Sequence, residues 1–385
     1  MHILLVTNYQ PPHMGGIEFA ASSLKDCWDR LGHEVVWLTT DIPRGSAPCS
    51  KDNIRIPAAN FLEQNWQINS PLINPFCLPM INRALNACDV VNVHSLAPGL
   101  SSLVLFMAIK KHKPIVATQH VGVIPMANKM LDAFQKSFLC SVASWGTKNG
   151  MKLTFVGEAV KQWFLEIARI NPGQTAMTPA GIDHNLFFFV ADDERCRLRV
   201  KWVLDANRLN ILFVGRFYEK KGLALIKKLA ESCPEIGFTL VGQGPISPAE
   251  WGLANVRLIS YVNNEELREL YGANDLFIMP SVGEGWPAVI PQAMACGLPC
   301  LISEETFQGY GRDRENFIIC ARDVDMMEKT LKELIGNKSE LSMRRQQISD
   351  YALRCWNWEK TAEIYLHLFE ELLKCPDKSL CGNEA

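Results

Sequence analysis

A single carboxylate, Glu284, stands between two glycines in residues 280–299, PSVGEGWPAVIPQAMACGLP. This segment follows an apolar run, Asp275–Met279, that predicts a buried strand, and it continues into a predicted helix. Open α/β sheets bind ligands at such strand-to-helix loops, because backbone amides and the helix N-terminus converge there. A carboxylate repels phosphate, so we expect Glu284 to meet hydroxyl groups or a positive centre beside a phosphate. A sugar diphosphate offers both groups.

Two cations follow another predicted strand. Gly215 and Arg216 end the apolar run Asn210–Val214, and Lys221 lies just before the next predicted helix. Both cations could point toward a ligand and neutralise a diphosphate leaving group, Arg216 through forked hydrogen bonds and Lys221 as a compact charge. The alternative interpretation is a pair of solvated surface cations.

Two histidines stand at the ends of predicted strands, His94 in VNVHS and His120 in ATQHV. A lone histidine at a strand end is more often structural than catalytic. Two of them on neighbouring strands that face one ligand edge favour a role in chemistry, and we favour His120. A zinc site is not expected, because no cysteine or further histidine has the spacing of zinc ligands.

Three further pairs of candidate ligand contacts follow other predicted strands: Gly15 and Gly16, Gly242 and Gly244, and Tyr261 and Val262. The first pair precedes a long predicted helix, where small residues let an anion approach the backbone. The second pair could hold part of a nucleotide, and the third could border a flat base. Each pair is equally consistent with an ordinary turn.

Short apolar runs alternate with helical patterns along the chain, which is typical of parallel sheets covered by helices. The first half predicts strands at His2–Thr7, Glu34–Thr40, Asp89–His94, Pro114–Gln119 and Met151–Val156. The second half predicts strands at Asn210–Val214, Gly237–Val241, Val256–Ser260, Asp275–Met279 and Pro299–Ser303. The pattern therefore predicts two Rossmann-like α/β domains with a cleft between them.

The helical patterns lie between these strands. They predict helices at Gly16–Leu31, Gly99–Lys111, Met126–Ser144, Glu158–Ala168, Gly222–Ser232, Glu265–Tyr271, Pro287–Ala295, Val324–Leu334 and Trp356–Leu373. The break between the halves falls near residues 183–205, where an apolar cluster gives way to a charged segment. We therefore expect domains at 1–188 and 189–355, followed by a helix and tail at 356–385.

Composition narrows the class of protein. The 385 residues are 48% hydrophobic and 21% charged with a net charge of −2, which argues against a nucleic-acid-binding protein. Thirteen cysteines without a CxxC pair, and the lack of a signal peptide before the first predicted strand, lead us to expect a cytoplasmic protein with reduced thiols. The basic run Lys110–Lys113 could touch the inner face of an anionic membrane, or it could be the solvated end of a core helix.

Taken together, these segments resemble the retaining GT-B glycosyltransferases of family 4. The resemblance covers nearly the whole chain and rests on GGIE, GRFYEKKG, LVGQGP, the strand-end histidine, SVGEGWPAVIPQAMACGLP and the terminal WEKTAEIYLHLFEEL. It implies a nucleotide-sugar donor on the second domain and a last helix that packs back on the first domain. It also implies that Arg216 and Lys221 hold the donor diphosphate, to which Gly16 lends its amide.

The resemblance places the donor sugar beside Glu284, His120 and the backbone of Gly285–Ala288. The chain departs from the family pattern at Gln292, where the family has a second acid that grips the ribose, and at Trp286 and Pro287. An amide binds hydroxyls without charge, and proline has no N–H to donate. These departures leave the donor open.

The resulting hypothesis is transfer of a hexosyl group from a UDP- or GDP-hexose to an acceptor hydroxyl, with the anomeric configuration retained and without a metal or cofactor. The acceptor could be a glycan, a lipid-linked or a small molecule. It is expected beside Gln10–Gly15 and Asn60–Pro79, where Phe61, Trp66 and Phe76 could contact sugar or lipid. The alternatives are a GT-B epimerase or phosphorylase, and a non-catalytic nucleotide-sugar-binding protein.

Overall fold

The computed structural model describes residues 1–13, 15–42, 50–61, 70–122 and 129–374. The chain divides into two compact units, residues 1–180 with the segment from 358 onward, and residues 181–357. The sequence predicts divisions after residues 188 and 355 instead. The difference at the first division arises because Ile182 and Phe187, which the prediction assigns to the first domain, are buried in the core of the second unit.

The first unit is built on a sheet of seven parallel strands in the order β3-β2-β1-β6-β7-β8-β9. These strands are β1 (His2–Val6), β2 (Glu34–Thr40), β3 (Asn53–Ile56), β6 (Val90–His94), β7 (Ile115–Gln119), β8 (Lys152–Phe155) and β9 (Thr175–Met177). Two short strands, β4 (Ala58–Ala59) and β5 (Leu72–Ile73), form a separate antiparallel pair. The five strands that the sequence predicts are present, and the two edge strands β3 and β9 were missed.

Helices cover this sheet. They span Gly16–Arg30, Leu78–Ala87, Leu100–Lys110, Lys129–Lys148 and Glu158–Ala168, and Trp358–Lys374 also belongs to this unit. The helix Leu78–Ala87 was not predicted. It begins at the end of the predicted acceptor region, Asn60–Pro79. In that region Phe76 is 90% exposed, and Trp66 lies outside the described residues.

The second unit is built on six parallel strands in the order β12-β11-β10-β13-β14-β15. They are β10 (Asn210–Val214), β11 (Gly237–Val241), β12 (Val256–Ile259), β13 (Leu276–Met279), β14 (Cys300–Ser303) and β15 (Ile318–Cys320). The central strands are buried along their length because helices cover both faces of such a sheet. The five predicted strands are present, and the edge strand β15 was missed.

The helices of the second unit span Asp192–Lys201, Leu223–Ser232, Asn264–Ala273, Val289–Ala295, Glu304–Phe307, Val324–Gly336 and Lys338–Cys355. The first of them, in the charged segment, was not predicted. Its Arg195 and Arg199 both form ion pairs with Asp275 at the start of β13, at 2.8 Å from Arg199 Nη1 to Asp275 Oδ1. These long-range ion pairs join a helix of little apolar character to the residue before β13.

The basic run Lys110–Lys113, which begins at the last residue of the helix Leu100–Lys110, makes its contacts within the first unit. Lys110 Nζ lies 4.4 Å from the ring centroid of Phe106, Lys111 Nζ donates to Asn86 Oδ1 at 2.7 Å, and Lys113 Nζ donates to Cys88 O at 2.7 Å. These contacts favour the interpretation as the end of a core helix, and membrane contact stays a prediction. In the part of the chain that the structure describes, no helix is long and apolar enough to cross a membrane.

The C-terminal helix Trp358–Lys374 packs on the helix Gly16–Arg30 and on β7. Trp28 meets Tyr365 edge to face at 5.6 Å between ring centroids, and Trp28 Nε1 donates to Ala362 O at 3.2 Å. The buried Tyr365 hydroxyl lies 2.7 Å from Thr118 Oγ1 and 3.0 Å from Thr178 Oγ1. This helix therefore completes the core of the first unit, although it ends the chain.

We expect Tyr365→Phe to lower the free energy of unfolding by about 1–2 kcal/mol, because it removes a buried hydroxyl that bonds two threonines. Urea unfolding of the full chain measures the change. Tyr261→Phe is the control, since Tyr261 is 76% exposed, and its unfolding midpoint should match that of the wild type. Equal midpoints for the two variants would show that the Tyr365 hydroxyl does not stabilise the helix.

Candidate active site

The strand order of the second sheet reverses between β10 and β13. The chain moves outward from β10 to β11 and β12 on one side, and from β13 to β14 and β15 on the other. The loops that leave the carboxyl ends of β10 and β13 therefore diverge, which opens a ligand crevice at this point of an α/β sheet. The candidate residues Arg216, Lys221 and Glu284 all belong to these two loops.

The β10 loop carries the two cations. Lys221 ends a short 3-10 helix, Glu219–Lys221, and Gly222 follows in a left-handed conformation at φ 79°. A Cβ atom on Gly222 would lie only 2.3 Å from Pro280 O, so a glycine is required for this loop to lie against the end of β13. The close approach brings Lys221 next to the loop that carries Glu284.

Lys221 and Glu284 form an ion pair, with 2.9 Å between Lys221 Nζ and Glu284 Oε1. Their side chains are only 15% and 11% exposed. Glu284 Oε1 is buried and accepts no hydrogen bond of good geometry from the described residues. The contact between Lys221 and Glu284 is therefore an attraction between two charges rather than an aligned hydrogen bond. Arg216 does not join this pair. It is exposed, and its guanidinium lies 5.6 Å from the ring centroid of Tyr218.

Buried hydroxyl groups hold the start of the Glu284 loop. Ser303 Oγ donates to Ser281 O at 2.6 Å, and Ser281 Oγ lies 3.0 Å from Thr306 Oγ1. All three side chains are fully buried. Val282 N also donates to Lys220 O at 2.9 Å, which ties the two loops together through the backbone. The carboxylate is therefore presented by a loop fixed at several points.

The residues after Glu284 fill space within the second unit. The Trp286 ring lies among aromatic rings, at 6.0 Å from Tyr310 and 6.4 Å from Trp356 between centroids. Tyr310 Oη donates to Pro287 O at 2.8 Å. Gly285 is partly buried and Ala288 is exposed, just before the helix that was predicted to begin at Pro287 and begins at Val289. The aromatic contacts give Trp286 a packing role that the sequence did not reveal.

Gln292 lies on that helix and is partly buried. The hydroxyl of Tyr271, which is fully buried, donates to Gln292 Oε1 over 3.4 Å. Burial also raises the pKa of Tyr271 well above its ordinary value, so the phenol keeps its proton. The hydrogen bond from Tyr271 therefore orients the amide of Gln292, with Oε1 toward the phenol and the Nε2 group available as a donor to another partner.

The remaining candidates of the second unit lie farther along the same sheet edge. Gly242 and Gly244 flank Gln243, whose carbonyl accepts from Phe217 N at 2.8 Å, so this loop packs against the β10 loop. Tyr261 and Val262 follow the edge strand β12, which β11 separates from β10. Tyr261 is 76% exposed, and Val262 is packed against the core. Among the described residues, none of these four shares a hydrogen bond or an ion pair with the side chain of Lys221 or Glu284.

In the first unit, Gly15 and Gly16 stand at the start of the helix Gly16–Arg30 as predicted. The Glu18 carboxylate folds back over Gly15, and its Oε1 lies 3.2 Å from His13 Nδ1. Glu18 is buried, with 6% of its surface exposed. A carboxylate of this chain thus stands at the helix N-terminus, where the sequence analysis places an anion.

His94 and His120 meet at the carboxyl ends of β6 and β7. His94 Nδ1 lies 2.8 Å from His120 Nε2, and the rings are stacked at 5.1 Å between centroids. Burial lowers the pKa of His120 to about 4, and burial together with the neighbouring His120 lowers the pKa of His94 well below its ordinary value. Both imidazoles are therefore neutral at neutral pH.

Asn92 is the site neighbour that the sequence did not reveal. Its Oδ1 lies 2.8 Å from His94 Nε2, and its Nδ2 donates to Val116 O at 3.2 Å. Residues two apart on a strand point to the same face, so the spacing of Asn92 and His94 in VVNVHS was a usable signal. In the described part of the chain, no group of three or more histidine, cysteine, aspartate or glutamate side chains could hold a metal ion.

Comparisons with known proteins agree with this architecture. The sequence model of the family described as "Glycosyltransferase Family 4" matches residues 14–186, and that of "Glycosyl transferases group 1" matches residues 208–337. The chain is 23% identical to the alpha-monoglucosyldiacylglycerol synthase of Acholeplasma laidlawii over 96% of this chain and 98% of that protein. It is 33% identical to the Bacillus subtilis protein EpsF, over 40% of this chain and 43% of that protein.

Solved structures share the fold. The sucrose-phosphate synthase of Thermosynechococcus elongatus superposes with a TM-score of 0.76 at 20% identity, over 97% of this chain and 99% of that chain. Anabaena HepE in complex with UDP superposes with a TM-score of 0.73 at 15% identity, over 97% of this chain and 100% of that chain. The two parallel sheets and these superpositions define the GT-B fold. The chain belongs to family 4, the group 1 glycosyl transferases, as the resemblance implied.

We expect the Lys221–Glu284 pair to show a coupling energy of about 1–2 kcal/mol in a double-mutant cycle, because its charges are poorly solvated. The cycle uses Lys221→Met, Glu284→Gln and the double variant, each followed by urea unfolding. The exposed pair Lys374–Glu370 is the control, for which we expect at most about 0.5 kcal/mol. A coupling at Lys221–Glu284 as small as that of the control pair would contradict the assigned contact.

We expect the free energy of unfolding to fall as the pH is lowered from about 6.5 to about 4. In this window the unfolded chain binds protons at His94 and His120 that the folded chain excludes, so acid favours unfolding. The lowering of the His120 pKa to about 4 corresponds to at most about 3 kcal/mol. Urea unfolding over this pH range should show a shallower fall for His120→Gln than for the wild type, and parallel curves would refute the assignment.

Proposed function

We propose that this glycosyltransferase moves a hexosyl group from a UDP- or GDP-hexose to an acceptor hydroxyl with retention of the anomeric configuration. One observation carries the proposal: a lysine and a glutamate meet at 2.9 Å at the point where the second sheet reverses its strand order. A hexose diphosphate presents negative phosphates next to neutral hydroxyls. The pair offers a complementary cation and hydrogen-bond acceptor side by side.

The charges of the two side chains support the assignment of Lys221 to the diphosphate and of Glu284 to the sugar hydroxyls. Lys221 and Glu284 neutralise one another, so the buried pair carries no uncompensated charge. A bound diphosphate gives Lys221 a second anionic partner, and the exposed Arg216 adds the further positive charge that such an anion needs. Glu284 is then held beside the sugar, where each oxygen can accept a hydrogen bond from a hydroxyl.

The proposed reaction takes place on one face of the sugar. The bond between the anomeric carbon and the phosphate oxygen breaks, the acceptor oxygen bonds to that carbon, and the acceptor proton passes to the departing phosphate oxygen. Arg216 and Lys221 stabilise the growing negative charge in the role that a divalent ion has in other transferases. A double displacement is disfavoured because residues 280–299 contain a single carboxylate, Glu284.

The remaining assignments follow the resemblance and the relatives. We assign His120 to a hydroxyl of the donor sugar or of the acceptor, and Gln292 to the ribose through its Nε2 group. We assign the amide of Gly16 to the diphosphate, which would replace the Glu18 carboxylate at this helix N-terminus. HepE structures with UDP and with UDP-glucose support a UDP-sugar as donor. The name of the Acholeplasma relative, which refers to a diacylglycerol lipid, supports a lipid acceptor, and we propose peripheral contact of the enzyme with the inner face of a membrane as a consequence.

The test begins with the donor. The full chain is incubated with UDP-, GDP- and ADP-hexoses, and the donor that raises the melting temperature most is then used in transfer assays with glycan and glycolipid acceptors in the presence of EDTA. Proton NMR of the product gives the anomeric configuration. A product of inverted configuration, or a requirement for a divalent metal, would refute the proposed mechanism.

We expect Arg216→Ala and Lys221→Ala to lower kcat by about 100-fold or more, because each removes a charge that stabilises the leaving group. Lys220→Ala is the matched control, since Lys220 is exposed on the same loop, and it should stay within about twofold of the wild type. If both site variants kept rates near that of the wild type, the leaving-group role would be wrong. Release of nucleoside diphosphate measures all three rates.

A further inference from the structure

A chain of hydrogen bonds runs through the first unit from the backbone of β7 to His120. Asn92 Nδ2 lies 3.2 Å from Val116 O, Asn92 Oδ1 lies 2.8 Å from His94 Nε2, and His94 Nδ1 lies 2.8 Å from His120 Nε2. Asn92 and His94 are fully buried, whereas His120 is partly exposed. The chain thus leads from the interior to the sheet edge.

The hydrogen bond between Asn92 and Val116 determines which atom is the donor in the two hydrogen bonds that follow. Val116 O can only accept, so the Asn92 amide turns its NH2 group toward it and its Oδ1 toward His94. His94 Nε2 must then carry the hydrogen, which leaves Nδ1 of the neutral ring as an acceptor. His120 therefore donates from Nε2 to His94 Nδ1 and keeps a lone pair on its own Nδ1.

The surrounding backbone keeps the histidines in place. Ser95, directly after His94, has a left-handed φ of 77°, which a residue with a side chain adopts at a cost. Ser101 Oγ donates to His94 O at 3.0 Å, and Gln119 Oε1 accepts from Leu96 N at 2.9 Å. Strained backbone that is held by several hydrogen bonds often marks a functional position.

We infer that Asn92 and His94 are positioning residues that hold His120 in the Nε2–H tautomer, so that its Nδ1 accepts a hydrogen bond from a substrate hydroxyl. In the described residues, no group of the protein donates to this Nδ1. The opposite tautomer would present an N–H there, which can only donate and would turn the hydroxyl around. The inference rests on the proposed function for the identity of the hydroxyl, and on the geometry alone for the tautomer.

The tautomer is tested directly on the full chain labelled with 15N-histidine, at pH 7.5 and without donor. Two-bond and three-bond nitrogen–proton correlations distinguish the two tautomers, and the signals missing from His120→Gln assign the residue. We expect His120 protonated at Nε2 and His94 protonated at Nε2. A wild-type spectrum with His120 protonated at Nδ1 overturns the inference without any further variant.

Two substitutions of His94 then separate positioning from packing. His94→Leu removes the acceptor for His120, so we expect mixed tautomers and a kcat lowered on the order of 10- to 100-fold, with the donor KM within about threefold. His94→Gln keeps one acceptor and one donor, so it should restore most of the kcat and the Nε2–H signal. Equal kcat values for the two variants would overturn the inference.

Thr154→Val provides the control for lost stability. Thr154 is fully buried on the neighbouring strand β8, and its hydroxyl lies 3.1 Å from Thr118 Oγ1 and 3.4 Å from Ala117 O, so its hydrogen bonds go to these residues rather than to either histidine. It should destabilise the unit and leave the His120 signals and kcat unchanged; altered His120 signals would count against the inference. An Nε2–H signal in a chain that transfers no sugar would support the inferred tautomer and refute the proposed function.

Discussion

A parallel sheet brings the carboxyl ends of all its strands to one edge, and both large sheets of this chain are wholly parallel. Every candidate residue that follows a strand is therefore gathered at the ligand edge of its own unit. The reversal of strand order then selects one place on the edge of the second sheet, between β10 and β13. At this position the backbone of Gly222 lies close to Pro280, and this approach brings the side chains of Lys221 and Glu284 into contact.

The two units solve the problem of buried polar groups in different ways. In the second unit, the charges of Lys221 and Glu284 compensate one another, and both side chains can still bind charged or polar groups of a ligand. In the first unit, Asn92 and the two histidines are neutral and satisfy each other through directed hydrogen bonds. Charge suits the stabilisation of a leaving phosphate, whereas a fixed neutral acceptor suits the orientation of a hydroxyl.

The positions at which the chain departs from the pattern of its family are accommodated by their neighbours. Trp286 joins an aromatic cluster with Tyr310 and Trp356, and the Tyr310 hydroxyl binds the carbonyl of Pro287. The amide of Gln292 accepts from the buried phenol of Tyr271. A carboxylate at position 292 could accept the same hydrogen bond from the phenol, but it would lack the Nε2 donor that the amide supplies.

The sequence by itself determined the ten main strands and the candidate residues Glu284, Lys221, Arg216 and His120, because apolar runs and glycine-bounded loops are local signals. It did not reveal the edge strands β3, β9 and β15, which span only three or four residues each, nor the helix Asp192–Lys201, whose ion pairs reach the distant Asp275. It also identified Glu284 and Lys221 separately without showing that they pair.

Only the tertiary structure decided which polar atoms face each other. Lys221 and Glu284 are far apart in the chain, and their 2.9 Å contact depends on strand order and on the backbone approach at Gly222. The same holds for Asn92, whose role follows from the Val116 carbonyl on the adjacent strand. Hydrophobic periodicity sets strands and helices locally, whereas hydrogen bonds and ion pairs between distant residues exist only once the sheet has brought their atoms together.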